Sequence, residues 1–175
     1  MINVNSSKNR IFLLTGFMAS GKSFLGRKAA DKINCNFVDL DKEIEAQESC
    51  SISEIFKEKG EEYFRKIETY CFSNLIKNCN KKLIIAAGGG FPLKDENQIL
   101  MKKVCVIFID TEFGIILSRL NNEEKRNRPL LTNKNEDEIK NLYEKRLNVY
   151  KSTSDYVVST ETELINLINS LIKVN

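Results

Sequence analysis

The chain has 175 residues, 42% of them hydrophobic and 29% charged, proportions that suit one globular domain with its own core. A net charge of +3 is too small to argue for a nucleic-acid partner, and the lack of histidine excludes histidine-ligated metals and a histidine acid or base. Five cysteines without a C-x-x-C pair fit reduced cytoplasmic thiols, and neither a signal-like apolar core nor a run of ~18 apolar residues points to export or a membrane.

Ile11–Thr15 is the first expected strand, and it runs into Gly16-Phe17-Met18-Ala19-Ser20-Gly21-Lys22-Ser23. That is the G-x-x-x-x-G-K-S spacing of a phosphate-binding loop. The pattern Phe24-Leu25-x-x-Lys28-Ala29-Ala30 then reads as a helix. In this strand–loop–helix context, backbone N–H groups and the helix N-terminus cradle phosphate oxygens. Lys22 reaches the outer phosphates, and the Ser23 hydroxyl ligates Mg²⁺. A GTP-dependent switch is disfavoured. Asn133-Lys134-Asn135-Glu136 ends in glutamate where a guanine reader needs aspartate, and Asp110 and Gly114 are one residue too far apart for D-x-x-G.

Asn36–Asp39 is the second strand, closed by Asp39-Leu40-Asp41. Residues two apart on a strand share a side, so both carboxylates are expected to face one cleft at the carboxyl end of the sheet. One would stand near Mg²⁺ and the other at a substrate hydroxyl; the alternative is that one caps the next helix. Ser51-Ile52-Ser53-Glu54 is a capping box opening a helix that Gly60 closes. Arg65 lies in the helical stretch EEYFRKIE, with Glu61 at i−4 and Glu68 at i+3, so it serves either a ligand or a surface ion-pair network.

Residues 83–87 form the third strand, followed by Gly88-Gly89-Gly90. Three glycines after a buried strand carry a large backbone entropy cost. They answer either close approach of N–H groups to a ligand or a tight strand-to-helix turn. The fourth strand is expected at 104–110. After it, residues 121–138 are dense in charge and asparagine, which marks a disordered insert or a functional lid. Arg126 and Arg128 sit in this stretch, Arg128 anchored by Pro129-Leu130-Leu131. A lid cation stabilises the charge of a moving phosphoryl group. Arg146 has no helical acid beside it and is freer to bind an anion. The fifth strand is expected at 156–159, and Thr160-x-x-Glu163 is a second capping box, before a helix with Leu164, Leu167, Ile168, Leu171 and Ile172 on one face. Short apolar strands alternating with helices predict a three-layer α/β domain with a parallel sheet.

Taken in order, these pieces resemble the shikimate kinase family. Its pattern is a G-x-M-x-x-G-K-S loop, D-x-D, an F-R-x-x-E helix, G-G-G, R-P-L-L and a late R-x-x-x-Y. Here they are Gly16 to Ser23, Asp39-Leu40-Asp41, Phe64-Arg65-Lys66-Ile67-Glu68, Gly88-Gly89-Gly90, Arg128-Pro129-Leu130-Leu131, and Arg146 with Tyr150. The resemblance implies a P-loop kinase fold of the nucleoside-monophosphate-kinase type, five parallel strands in order 2-3-1-4-5 with helices on both faces. It implies one domain over residues 1–175, with a mobile lid at about 121–135.

The activity it implies is transfer of the ATP γ-phosphate to the 3-hydroxyl of shikimate, on the chorismate route to aromatic amino acids, by a cytoplasmic, monomeric enzyme that uses Mg²⁺ and no nucleic acid or membrane. Asp41 matches the substrate-contacting base and Asp39, with Ser23, the metal side. Arg65, Gly88, Gly89, Gly90 and Arg146 match the shikimate contacts, with Glu68 orienting Arg65. Gly16, Ala19, Ser20, Gly21, Lys22, Ser23 and Phe24 match the ATP loop, Arg128 the lid arginine on the phosphates, and Arg119 the arginine near adenine. Ala19 stands where glycine is commonest, so a positive φ there would be strained, and Phe24 replaces the usual threonine. The competing readings are another kinase of the same fold and a nucleotide-dependent binding protein without catalysis. Two arginines flanking a glycine triplet suit one carboxylate on a small polyol.

Overall fold

The computed structural model describes residues 10–121 and 135–173. Its strands are β1 (Ile11–Thr15), β2 (Asn36–Asp39), β3 (Leu83–Ala86), β4 (Cys105–Ile109) and β5 (Tyr156–Val158). All pair in parallel, in the order β2-β3-β1-β4-β5. Order, direction and bounds agree with the sequence expectation to within a residue at each end. The central strands are buried along their whole length because both sheet faces are covered.

Alternation along β1 divides the core. Phe12 and Leu14 face one layer, where they meet Ala29 and Ala30 of α1 (Lys22–Ile33) and Leu164 and Ile168 of α8 (Glu161–Lys173). Ile11 and Leu13 face the other, against α2 (Leu40–Glu48), α3 (Ile52–Glu58), α4 (Gly60–Asn78) and α5 (Asp95–Met101). Phe12, Leu13 and Leu14 have no exposed surface, each burial contributing about 1.5–3 kcal/mol. A third cluster joins Phe17 and Met18 to α6 (Phe113–Asn121) and α7 (Glu136–Thr153) through Ile116, Leu120, Ile139 and Tyr150.

The predicted Ser51–Glu54 capping box is present, and Gly60, at φ 81°, follows the α3 cap and opens α4. At Thr160 the box is incomplete. The Thr160 hydroxyl accepts from Glu163 N at 3.2 Å, but Glu163 reaches past Thr160 to the Ser159 amide at 2.7 Å. Asn135 and Glu138 form a capping box that opens α7, so the end of the polar stretch expected at 121–138 belongs to a helix. Residues 122–134, with Arg126, Arg128 and most of the expected lid, lie outside the described residues.

Candidate active site

The β1 order in the sheet makes it the switch point, with β3 on one side and β4 on the other, and ligands of such sheets bind beyond the carboxyl ends there. A cleft of about 930 Å³ opens at that place, lined by residues Ala19 to Leu25 of the phosphate loop and helix start, Asp39 and Asp41 after β2, and Gly88 and Gly89 after β3. Asp110, Thr111 and Ile115 after β4 and Ser159 to Glu161 after β5 complete the wall. The sequence reading gave none of this last group a part in binding. Its one signal was position, directly after strands four and five.

Loop geometry explains the loop's composition. Gly16 and Gly21 adopt φ 144° and 92°, and a β-carbon on Gly16 would lie 2.8 Å from the Ile109 carbonyl. Ala19 adopts φ 59°, the strained conformation anticipated, at a cost of roughly 1–2 kcal/mol. Two long-range bonds brace it: Arg119 Nη1 donates to Ala19 O at 3.0 Å, and the Thr111 hydroxyl donates to Ser20 O at 2.8 Å. Lys22, 8% exposed, folds along the loop and donates to Gly16 O at 2.9 Å, Phe17 O at 2.7 Å and Ser20 Oγ at 3.3 Å. Ser23 and Phe24 are exposed in the first turn of α1, with Lys28 Nζ 4.5 Å from the centre of the Phe24 ring.

The two aspartates do not share the strand end expected of them. Asp39 ends β2 and caps α2, its Oδ1 accepting from Asp41 N at 3.1 Å and Lys42 N at 3.3 Å. Asp41 therefore stands in the first helical turn, not on the strand. Both still line the cleft, because an N-cap and the second residue after it project toward the helix start.

Arg65 and Glu68, one helical turn apart on α4, form a buried pair with Nη1 2.8 Å from Oε2. Glu61 Oε1, at 3.1 Å from Nη2, steadies the other side from a half-exposed position. Glu68 has no exposed surface and its second oxygen, Oε1, has no protein hydrogen bond. Burial raises its carboxyl to about 7, against the opposing pull of Arg65. Arg146, 7% exposed, is more buried than an isolated surface arginine, and its guanidinium lies 5.9 Å from the centre of the Phe17 ring. Its Nε and Nη1 have no protein acceptor.

The glycine triplet joins these groups. None of the three has positive φ, so the cause is close approach rather than strain. A β-carbon on Gly88 would lie 3.0 Å from Asp41 Oδ1 and 3.1 Å from Glu68 Oε1. On Gly89 it would lie 3.1 Å from Met18 N, and on Gly90 2.5 Å from Arg65 Nη2. The triplet also makes the turn into a 3-10 segment, Phe91–Leu93, which agrees with the turn reading of the three glycines. Thus Asp41, Glu68 and Arg65 gather around the triplet and the phosphate loop adjoins it at Gly89; of the three side chains, Asp41 lines the cleft. Arg128 lies outside the described residues.

A second hollow, about 540 Å³, lies at the sheet edge beside Gln47, Cys71 and Asn74, remote from this chemistry. Among the described residues, no cluster of three acidic or cysteine side chains suits a metal, and no helix is long and apolar enough to cross a membrane.

The family model for shikimate kinase matches residues 18–174. The chain is 40% identical over 154 residues to the shikimate kinase of Dictyoglomus turgidum, covering 87% of this chain and 89% of that one. It is 41% identical over 153 residues to that of Persephonella marina, covering 87% and 90%. In structure it is similar to the shikimate kinase from Acinetobacter baumannii in complex with shikimate, with a TM-score of 0.83, 31% identity and coverage of 95% and 94%.

Proposed function

The chain belongs to the shikimate kinase family, and on that premise we propose that it transfers the γ-phosphate of ATP to the 3-hydroxyl of shikimate, giving shikimate 3-phosphate and ADP for chorismate and aromatic amino acid synthesis. It is an ATP-dependent small-molecule kinase. One observation carries the assignment of the site. Consecutive residues of one segment leave no room for a side chain between two carboxylates and the phosphate loop: a β-carbon on Gly88 would crowd Asp41 and Glu68, and one on Gly89 would crowd Met18 N.

The residues divide the work. Lys22 exchanges its loop carbonyls for the β- and γ-phosphates, while the loop N–H groups hold their oxygens. Asp41 takes the proton of the 3-hydroxyl as that oxygen bonds to the γ-phosphorus and the bond to the β-bridging oxygen breaks. Arg65, held by Glu68, and Arg146, with donors to spare, bind the shikimate carboxylate and neighbouring hydroxyls. Arg128 contributes a cation to the phosphates from the 121–135 segment, which acts as the lid of a single domain. Arg119 braces the loop and borders the adenine side, with Phe24 opposite.

Ser23 and Asp39 fit Mg²⁺ as hard oxygen donors at the cleft, Asp39 keeping Oδ2 beyond its helix-capping Oδ1. When bound with ATP, the ion neutralises charge on the phosphates. The cytoplasm, where five free thiols stay reduced, and a monomeric state complete the reading.

The test is a coupled assay of ADP release. ADP should appear only when shikimate is present, in equal amount to shikimate 3-phosphate. Equal release without shikimate, or with gluconate or AMP in its place, would assign another acceptor or none.

A further inference from the structure

Tyr150 entered the sequence reading only as the end of a motif, yet its phenol sits inside the site. The hydroxyl donates to the Gly89 carbonyl at 2.5 Å, linking residues 61 positions apart. The Arg146 guanidinium, one helical turn earlier on α7, acts on the same hydroxyl and opposes the rise that burial gives it. The ring has no exposed surface and stacks on Phe108, with centroids 5.4 Å apart and planes at 23°. Arg146, Tyr150 and Gly89 therefore form a relay of neighbouring polar groups, the phenol bonded to the glycine carbonyl and in the field of the guanidinium.

The glycine segment depends on this relay. Gly88 O accepts from Phe91 N at 3.0 Å and Gly90 O accepts from Leu93 N at 3.1 Å. Tyr150 takes the middle carbonyl. With all three carbonyls committed within the protein, the N–H groups are what the segment can turn to a ligand. The same ring borders Arg146, whose Nε and Nη1 have no protein acceptor and remain for an anion.

We propose that Tyr150 is the positioning residue of the acceptor site, its hydroxyl holding the glycine triplet and Arg146 in one geometry for a small carboxylated polyol. The inference rests on the acceptor site proposed above. Tyr150→Phe keeps the ring and its stacking and deletes only the relay. Steady-state kinetics should show KM for shikimate raised about tenfold, equivalent to about 1.4 kcal/mol, with KM for ATP changed by less than about twofold. Phe108→Leu loosens the same ring without touching the hydroxyl, so it should lower the melting temperature and leave KM for shikimate within about twofold. Equal rises in KM for shikimate in both variants, or no rise in Tyr150→Phe, would overturn the proposal. Arg146→Lys separates the two levels, because lysine cannot reproduce a bidentate pair. A large rise in KM for shikimate there, with none in Tyr150→Phe, refutes the positioning role alone. No rise in Arg146→Lys refutes the acceptor site itself.

Discussion

Glu68 Oε2 lies 2.8 Å from Arg65 Nη1, and the carboxylate that makes this pair has no exposed surface. The pair has two consequences that can be measured, one on pH and one on space.

Burial raises the Glu68 carboxyl from its ordinary 4.5 to about 7, Asp41 and Glu61 adding to the rise and Arg65 opposing it. Between these values the native chain holds a proton that the unfolded chain has released. The contribution of Glu68 to stability is therefore full below 4.5 and lost as pH rises through about 7. Glu68→Gln should lack that slope, so its stability relative to the parent should improve steadily across this window in denaturant titrations. KM for shikimate should fall in the parent as pH rises through about 7 and the carboxylate engages Arg65. Parallel stability curves for the two proteins would contradict the assignment.

Gly90→Ala tests the space beside Arg65. At φ −95° alanine is acceptable to the backbone, so the fold should survive, and a lower chain entropy when unfolded favours it by about 0.4–1 kcal/mol. The new β-carbon would meet Arg65 Nη2 at 2.5 Å and Cζ at 2.9 Å, and the two glutamates restrict its retreat. KM for shikimate should rise at least about tenfold, with the melting temperature lowered, because displacing Arg65 from buried Glu68 outweighs the entropy gain. A variant with normal KM for shikimate would show that Arg65 does not bind the acceptor from this position.

Lys22→Ala removes the phosphate-seeking charge and three hydrogen bonds within the loop. Turnover should fall on the order of 10² or more, while the sheet and its helices stay folded. Circular dichroism and the coupled assay check the two halves of this statement. Retained activity would remove the nucleotide from this loop.

What the sequence made legible was local. The strands read as short apolar runs because each is buried on both faces, and the Arg65 partners follow from helix spacing. The φ of Ala19 followed from a residue standing where glycine is commonest. Asp41 was placed on a strand because the chain alternates up to Asp39, and only the cap bonds from Asp39 show that the helix starts one residue earlier. The Asn135–Glu138 capping box was hidden by the charge around it. The bonds from Tyr150 to Gly89 and from Thr111 to Ser20 span 61 and 91 positions, and no local pattern announces them.

The central claim is that Asp41 accepts the proton of the acceptor alcohol. With no histidine in the chain, a carboxylate beside Gly88 in the donor cleft is the base that the site offers. The most direct measurement is kcat of Asp41→Asn with saturating ATP and shikimate, alongside ATP affinity by calorimetry. Asparagine keeps the shape but cannot take the proton, so kcat should fall on the order of 10² or more with ATP affinity retained. A near-normal kcat would contradict the account, leaving Asp41 a residue of the first turn of α2 with no part in the chemistry.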